Sequence, residues 1–477
     1  MTIAEPVATA VHATGDRNPP RWTSTVTPVP LWAAVAGAHI DRPAPGETGH
    51  GWSMTIAGWV VGQSKPTREI QVLFDGAPVC RTPVDIERND VAEQFPGSPG
   101  AGRSGFRVHL GLLGLPRIAQ LEVVAVMGDA TPVHLATVVV THEPLATPYE
   151  PQLSPITVTS LGRMGTTWLM RLLAQHPDVV VHPQYPYELG VAKYWAHLLQ
   201  VASGPADHRY SSHPERFTAQ ATHIGHNPYL GDFLDGSPEL HRWLDTTQPA
   251  LLGACAQQSL DQFYGMVADL AGGDHPRFFA EKSLPDHVPD VLGDLYPHGR
   301  ELILVRDIRD VICSAIAFDA KRNRRSFGRE SLDDLRFVSQ LQMDLGRLMR
   351  SWQRRRGSAL LVRYESLITA PAQTLEEILS HLGLTSTPAV VTAVLEGASA
   401  STPELDGHRT TANPGASIGR WRTDLAQVHP DLPEQCADLF SPLLAQFGYP
   451  VFEPRARGLD RQLADVLGRL DGSDPDA

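Results

Sequence analysis

The sequence predicts an α/β protein in which a parallel sheet flanked by helices follows a small antiparallel β-sandwich. Short segments of alternating apolar residues fill positions 31–145, a pattern typical of antiparallel strands. From residue 150 onward, short β-branched runs alternate with segments of helical apolar spacing, which favours a mostly parallel sheet covered by helices. The length of 477 residues is also too great for one ordinary core. We therefore expect two domains.

Composition and charge restrict the possible functions. Apolar residues make up 42% of the chain and charged residues 19%, as in a folded globular protein. The formal net charge of −13 argues against bulk binding of nucleic acid, so a polyanionic ligand would need a local group of Arg, Lys and backbone N–H groups. The four cysteines lack zinc-ligand spacing, and we expect free thiols and no metal. Because the sequence shows neither a signal pattern nor an apolar run of bilayer length, we expect a cytoplasmic protein with no integral membrane segment.

The N-terminal part of the chain is predicted to be an accessory domain. Residues 1–30 are rich in Pro, Thr and Ala without sustained periodicity, and we expect a disordered leader there. Residues 31–145 are predicted to form the β-sandwich, with Asp75-Gly76 as a hairpin turn. Its alternating apolar sets are Trp52, Met54, Ile56, Gly58 and Val60, then Ile70, Val72 and Phe74, then Leu121, Val123 and Ala125. No catalytic set of residues occurs in this domain, and a packing or positioning role is favoured over glycan binding.

The most informative segment is a glycine-containing loop between a predicted strand at 156–160 and a helix that begins at residue 166. Consecutive N–H groups of such a loop bind an anion together with the helix N-terminus. The residues of the loop and the first helical turn are Gly162, Arg163, Met164, Gly165, Thr166, Thr167 and Trp168. Because Thr166 stands where the nucleotide-triphosphatase pattern GxxxxGK[ST] has lysine, the loop predicts a phosphate ester bound without an obligatory metal.

A second anion-binding set follows the predicted strand 302–305. Arg306 stands at the end of this strand, and Ser314 lies on the helix after it. The two side chains can converge on one anion from different elements, and a guanidinium makes charge-assisted hydrogen bonds to phosphate. A solvated charged face is the alternative interpretation of the same residues.

Both segments resemble motifs of the sulfotransferases that use 3′-phosphoadenosine 5′-phosphosulfate (PAPS) and release 3′,5′-bisphosphoadenosine (PAP). The loop is similar to the family's 5′-phosphosulfate motif, basic-x-Gly-Thr-Thr-Trp. The run from Arg306 to Ser314 is similar to its 3′-phosphate motif, with Ile308 in place of the usual proline. Tyr364-Glu365-Ser366-Leu367 is similar to the family's segment that contacts adenine, and residues 417–422 to a C-terminal loop that closes over the 3′-phosphate.

The resemblance covers residues 150–452 and implies a P-loop-type sulfotransferase fold that transfers a sulfuryl group to a hydroxyl. It implies that PAPS binds at Arg163, Met164, Gly165, Thr166, Thr167, Trp168, Arg306, Ser314, Tyr364, Ser417, Gly419 and Arg420. Trp168 is expected to stack on adenine. The predicted domains are the leader at 1–30, the sandwich at 31–145, the sulfotransferase domain at 150–455, and a C-terminal helix and tail at 456–477.

The resemblance also implies the catalytic residues, with one departure. Lys282 resembles the catalytic lysine of bacterial members, and Arg163 is the second cation. Animal cytosolic members have a histidine two residues after this lysine, where the present chain has Leu284. Glu188 is therefore expected to be the base, as in members that place a glutamate after the first helix. His182 and His287 are the alternatives.

The acceptor is predicted only by class. Residues 189–278 are expected to form a mainly helical acceptor-binding lid. A basic cluster follows the Ser314 helix and is either a solvated face or a surface for an acidic or already sulfated acceptor; it consists of Lys321, Arg322, Arg324, Arg325 and Arg329. We expect a saccharide, glycolipid or natural product as acceptor and no nucleic-acid partner. The competing hypotheses are a Mg²⁺-dependent P-loop nucleotide kinase and a non-catalytic glycan-binding protein.

Overall fold

The computed structural model describes residues 20–30, 33–203, 237–272, 276–327, 329, 333–400, 403–411, 413–428 and 431–449. The predicted C-terminal helix and tail at 456–477 lie outside the described residues, as do residues 1–19 of the predicted leader. No helix among the described residues is long and apolar enough to span a bilayer.

The chain divides into two compact units. Unit 1 contains residues 1–151, 191–260 and 290–297, and unit 2 contains residues 152–190, 261–289 and 298–477. Much of the segment predicted as an acceptor-binding lid therefore belongs to the unit that holds the N-terminal strands. Within unit 1, the N–H of Trp52 donates to the backbone oxygen of Asp245 at 2.9 Å and to its Oδ1 at 3.0 Å. Such contacts join residues far apart in sequence, which is why the sequence pattern did not indicate them.

The strands of unit 1 form two antiparallel sheets, of six strands in the order β3-β1-β9-β8-β5-β6 and of three in the order β2-β4-β7. Their bounds are β1 Trp22–Pro28, β2 Val35–Arg42, β3 Thr48–Gly49, β4 Ser53–Gly62, β5 Thr67–Phe74, β6 Ala77–Pro83, β7 Gly105–Gly111, β8 Ile118–Met127 and β9 Pro132–His142. The predicted antiparallel domain is thereby confirmed.

Local patterns explain most of these strands. Ile56 and Ile70 are 0% exposed, as their alternation predicts, and the turn Asp75-Gly76 joins β5 to β6 with φ values of 53° and 74°. One departure concerns the predicted leader, because residues 22–28 form β1 and pair along their whole length with β9. The Ser and Thr residues of this strand hide its periodicity in the sequence, whereas backbone pairing with β9 stabilises it.

Thirteen α-helices occur within the described residues. They are α1 Asn89–Gln94, α2 Thr166–Leu173, α3 Val191–Ser203, α4 Pro238–Ala271, α5 Val288–Leu295, α6 Ile308–Arg322, α7 Asp334–Arg355, α8 Tyr364–Thr369, α9 Pro371–Leu382, α10 Pro388–Ala398, α11 Pro403–His408, α12 Trp421–Val428 and α13 Leu432–Gln446.

Unit 2 is built on a parallel sheet of five strands in the order β11-β12-β10-β13-β14. The strands are β10 Ser154–Thr159, β11 Val179–Val180, β12 Phe278–Ser283, β13 Arg300–Val305 and β14 Ala359–Arg363. Alternate residues of β13 enter two different cores, with Ile303 in a cluster that includes α6, α7 and α13, and Leu302 in a cluster that includes α2, α9 and α10. Helices therefore cover both faces, which confirms the predicted α/β fold.

The carboxyl ends of the strands bring the predicted site together. Parallel strands end at one edge of a sheet, and ligands of open α/β folds bind at this edge. Arg163 follows β10, Lys282 is the penultimate residue of β12, Arg306 follows β13, and Tyr364 follows β14. Residues far apart in sequence thus share one end of unit 2.

Candidate active site

The loop between β10 and α2 has an unusual backbone. Arg163 has a φ of 66°, and Gly165, which precedes the first residue of α2, has a φ of 98°. A Cβ at Gly165 would lie 2.4 Å from Cδ2 of Tyr364, so this position requires glycine for both its conformation and its contact. No side chain of the described residues caps the helix. The N–H groups of the first turn can therefore bind an anion.

Arg163 reaches across the site to the helix after β13. Its Nε donates a hydrogen bond to Oγ of Ser314 at 3.2 Å, and its Nη2 donates to the carbonyl oxygen of His408 at 3.1 Å. The guanidinium also packs over the ring of Phe318, with 4.4 Å between Cζ and the ring centroid. The structure thus joins the predicted 5′-phosphate and 3′-phosphate segments through one side chain.

Arg306 joins three further segments. Its Nη1 donates to the carbonyl oxygen of Arg163 at 3.2 Å, and its Nη2 donates to that of Ser417 at 2.8 Å. The guanidinium lies over the ring of Tyr364 at 4.5 Å, and the Tyr364 hydroxyl is 3.1 Å from Oγ of Ser417. Arg306 is only 5% exposed, and its Nε has no hydrogen-bond partner among the described residues. This buried donor is available to a ligand.

Neither Arg163 nor Arg306 forms an ion pair with a carboxylate among the described residues, and Arg306 is influenced by the charge of Asp310. Burial, followed by the charge of Arg306, lowers the pKa of Arg163 to about 10. The nearby Arg309 and Arg329 differ, because each forms an ion pair, with Asp307 and with Asp319 respectively. Buried charges are ordinarily paired, so two unpaired guanidiniums side by side are typical of a site for a polyanion.

Asp310 holds the C-terminal loop against α6. Its Oδ2 accepts a hydrogen bond from the N–H of Gly419 at 2.7 Å, and its Oδ1 accepts one from the N–H of Trp421 at 3.0 Å. Burial raises the pKa of Asp310 to about 6. These contacts hold the loop where the carbonyl oxygen of Ser417 accepts a hydrogen bond from Arg306. The Nε of Arg420 donates to Oδ2 of Asp424 at 2.6 Å.

Lys282 and Glu188 form a second group of site residues. The Nζ of Lys282 donates to the carbonyl oxygen of Pro186 at 2.7 Å and lies 3.4 Å from Oε1 of Glu188. Burial lowers the pKa of Lys282, and the charge of Glu188 opposes this effect. The structure therefore places Lys282 and Glu188 in contact, and these are the cation and the base that the sequence analysis predicts.

His408, at the end of α11, is a site residue that the sequence analysis missed. It lies between the two groups, since its Nε2 is 2.9 Å from Nη1 of Arg163 and its Nδ1 is 2.7 Å from the hydroxyl of Tyr185. Burial and then the charges of Arg163 and Lys282 lower the pKa of His408 to about 3. It is 245 positions from Arg163, and no sequence motif marks it.

For the other predicted site residues, the structure gives less information about a role in the site. Trp168 is half-buried, and its Nε1 has no hydrogen-bond partner among the described residues. Part of the basic cluster supports the fold, because Arg329 pairs with Asp319 and Lys321 donates to the carbonyl oxygen of Asp406 at 2.6 Å. The roles of His182 and His287 stay predictions. In the part of the chain that the structure describes, no group of three or more His, Cys, Asp or Glu residues could hold a metal ion.

Comparison with known proteins gives one family match. A family model described as "Sulfotransferase family" matches residues 155–388. No curated protein matches the chain.

Several solved structures resemble the chain at low identity. A mouse sulfotransferase complexed with PAP is 12% identical, with a TM-score of 0.34 and coverage of 67% of this chain and 91% of that one. A sulfotransferase from Alicyclobacillus acidocaldarius is 16% identical, with a TM-score of 0.31 and coverage of 62% and 94%. A sulfotransferase from Mycobacterium avium is 15% identical, with a TM-score of 0.31 and coverage of 63% and 79%.

Proposed function

We propose, on the match of residues 155–388 to the sulfotransferase family model, that the protein transfers a sulfuryl group from PAPS to a hydroxyl of an acceptor. One observation carries the choice of donor. Arg163 and Arg306 are buried next to one another, and neither forms an ion pair with a carboxylate among the described residues. A nucleotide with phosphate groups at both the 5′ and the 3′ position supplies the missing negative charge on both sides of this pair.

The residues of the site fit such a donor. Arg306 and Ser314, with Ser417 of the C-terminal loop, hold the 3′-phosphate, whereas the N–H of Gly419 donates to Asp310 and holds this loop in place. Arg163 and the open N–H groups at the start of α2 hold the 5′-phosphate, for which Gly165, Thr166 and Thr167 provide the close approach. Trp168 and Tyr364 bind the adenine side, and the flat face of an aromatic ring suits this role.

In the chemical step, one residue accepts a proton and two cations stabilise the developing negative charge. When bound, PAPS supplies a sulfur atom that bonds to the acceptor oxygen as its bond to the bridging phosphate oxygen breaks, and PAP leaves with that electron pair. Glu188 accepts the proton of the acceptor hydroxyl. Lys282 and Arg163 donate hydrogen bonds to the oxygens on which negative charge develops. The contact of Lys282 with Glu188 supports this assignment, because it brings base and cation into one group.

The acceptor is proposed as a hydroxyl of a saccharide, glycolipid or natural product. Arg322, the last residue of α6, and Arg324 and Arg325 after it are exposed. Arg325 pairs with Asp334, and the positive charge of the other two supports an acidic or already sulfated acceptor. Transfer of labelled sulfate from PAPS to a panel of matched neutral and acidic saccharides tests this class. Equal transfer to both sets would contradict a role for the basic residues in acceptor choice.

Calorimetric titration of the full chain with PAP and with ATP, each with and without Mg²⁺, tests the donor. We expect PAP to bind without metal and ATP to bind negligibly, because the loop lacks the lysine of a nucleotide triphosphatase. ATP binding that depends on Mg²⁺ would overturn the proposal in favour of a kinase. Binding of neither nucleotide would favour a non-catalytic glycan-binding protein.

The variant Arg306→Ala makes this titration specific for the 3′-phosphate. We expect its PAP affinity to fall by about 10-fold or more, since a charge-assisted hydrogen bond is worth about 1.5–3 kcal/mol. Affinity for adenosine 5′-monophosphate, which lacks the 3′-phosphate, should fall much less. Equal losses for both nucleotides would contradict the assignment of Arg306.

A further inference from the structure

The segment after α6 packs against the loop between β10 and α2 through the ring of Phe327. Its Cδ1 lies 2.9 Å from the point that a Cβ of Gly162 would occupy, and two further ring atoms lie 3.5 and 3.7 Å from this point. The ring centroid is 5.5 Å from that of Phe318 and 5.6 Å from Cζ of Arg163. The Arg163 guanidinium thus contacts two phenyl rings, because its Cζ lies 4.4 Å from the centroid of Phe318.

Hydrogen bonds to α6 hold this segment in place. Asp319 of α6 is 6% exposed, and it accepts hydrogen bonds from the hydroxyl of Ser326 and from Nη1 of Arg329. The N–H of Arg324 also donates to the carbonyl oxygen of Asp319 at 3.2 Å. Residues on both sides of Phe327 are therefore tied to one helix, and this fixes the place of the ring.

The backbone at Phe327 is strained, since its φ is 56°. A bulky residue in the left-handed region is an outlier, and such residues cluster at functional sites. A glycine would make the same turn with less strain. The side chain is 41% exposed, so burial in a core does not explain why a phenylalanine stands here. Its contacts with Gly162 and Arg163 supply an explanation.

Gly162 shows the same contact from the side of the loop. Its backbone lies outside the left-handed region, unlike that of Gly165, so its conformation does not require a glycine. Either the close approach of a phosphate or the ring of Phe327 explains a glycine at this position. The ring contact is present in the structure and leaves no room for a Cβ. It also lies beside Arg163, whose φ of 66° is strained as well.

We propose that Phe327 is a positioning residue for the 5′-phosphosulfate group, because its ring holds Gly162 and the Arg163 guanidinium in the arrangement that binds this group. In this role the ring acts through the loop and the cation, and not through the reacting atoms. A loop and a cation fixed in advance lose less conformational freedom when the donor binds. This inference rests on the proposed function, because it requires that Arg163 binds the 5′ end of the donor.

Nucleotides with a single phosphate separate this effect from general damage to the fold. We expect Phe327→Ala to raise the Kd of PAP and of adenosine 5′-monophosphate by about fivefold or more, because the contact with Arg163 and the support of the loop are lost together. The Kd of adenosine 3′-monophosphate, which depends on Arg306, should change by less than about twofold. The control is Met343→Ala, which removes an exposed apolar side chain of α7 in unit 2 and should leave all three Kd values unchanged.

A double-mutant cycle tests the contact between the ring and Gly162. In the parent protein, Gly162→Ala should raise the Kd of adenosine 5′-monophosphate by about fivefold or more, because the new Cβ would meet the ring of Phe327. In the Phe327→Ala background the same change should add less than about twofold, since the ring is absent. An equal cost in both backgrounds would show that the phosphate, and not Phe327, requires the glycine, and the proposal would be overturned.

Calorimetric titration of the full chain measures these affinities, and thermal melting checks that each variant is folded. An unchanged affinity for adenosine 5′-monophosphate in Phe327→Ala would overturn the inference. Equal losses for the two monophosphates would do the same, because they would indicate general damage to the fold. In both cases the parent protein still binds PAP and the proposed function stands. Failure of the parent protein to bind PAP would instead remove the proposed function, and this inference with it.

Discussion

Arg163 and Arg306 stand in sequence motifs, and both are desolvated in the fold. Arg306 is 5% exposed and donates to the backbone oxygens of two other segments. For anion binding, their burial matters more than their spacing in the sequence. A buried cation that forms no ion pair with a carboxylate binds an anion more tightly. Motif spacing indicated the two residues, whereas their burial and the absence of an ion pair with a carboxylate among the described residues became visible only in the tertiary structure.

Glu188 is the residue on which the proposed chemistry depends most directly. Replacement by glutamine keeps the shape of the side chain and removes the proton acceptor. We expect PAPS hydrolysis by Glu188→Gln to fall by about 100-fold or more, the usual contribution of a general base. PAP affinity should change little, because the carboxylate contacts Lys282 and not the two arginines of the donor site.

The matched control for this variant is Glu396→Gln on the exposed face of α10. It makes the same chemical change far from the site in sequence and should leave hydrolysis unaltered. An unchanged rate in Glu188→Gln would exclude this residue as the base and leave His182 and His287 as candidates.

The junction of β10 and α2 has the backbone geometry that the proposed anion site requires. The strand ends at Thr159, and α2 begins at Thr166 without a side-chain cap from any described residue. Tyr364, from the segment after β14, packs against the glycine at the junction. Two strands of the sheet therefore define the space that the donor would occupy. The contact with Tyr364 and the positive φ together explain why residue 165 is a glycine.

Gly165→Ala tests this junction. An L-residue is strained at a φ of 98°, and its Cβ would lie 2.4 Å from Tyr364. We expect a loss of about 2–4 kcal/mol of folding stability, from the left-handed backbone and overpacking together. Displacement of Tyr364 and the loop should also weaken PAP binding by about 10-fold or more, because donors must be positioned closely to act on an anion.

Gly265→Ala is the control for that change, because this glycine lies within α4 and a Cβ there would meet open space. It should be neutral or stabilising by up to about 1 kcal/mol, as alanine is the better helix former. Thermal melting and PAP titration measure both variants. Normal PAP binding by Gly165→Ala would show that the loop does not form the phosphate site.

In the whole molecule, every residue proposed to bind the donor lies in unit 2. The N-terminal sheets of unit 1 contain none of them. The two units thus differ in chemistry as well as in fold: unit 1 is antiparallel, and unit 2 presents the carboxyl edge of a parallel sheet. Donor binding should therefore leave a footprint on one unit alone.

Amide hydrogen exchange of the full chain measures this footprint. We expect saturating PAP to slow exchange in peptides that cover residues 160–169, 306–314 and 413–421, because a bound ligand suppresses local opening. Peptides from β4 and β8 should exchange at unchanged rates. ATP without Mg²⁺ is the control ligand and should protect none of these segments. If PAP slowed amide exchange only in the strands of unit 1, PAP would bind to unit 1 and the proposed function would be contradicted.

The sequence by itself determined the parallel α/β fold, the β10–α2 loop and the positions of Arg306 and Ser314. Each of these depends on a local pattern: an apolar strand, then glycine and a cation, then a helix. Lys282 and Glu188 were also named from motifs, but their 3.4 Å contact could not be derived from separate segments.

Only the tertiary structure decided the place of His408, the pairing of residues 22–28 with β9, and the inclusion of residues 191–260 in unit 1. None of these has a local signal, because each results from contacts between segments far apart in sequence. His408 is the clearest case. A single histidine at the end of a short helix has no informative neighbours in the chain, and only folding brings Arg163 and Tyr185 into contact with its imidazole.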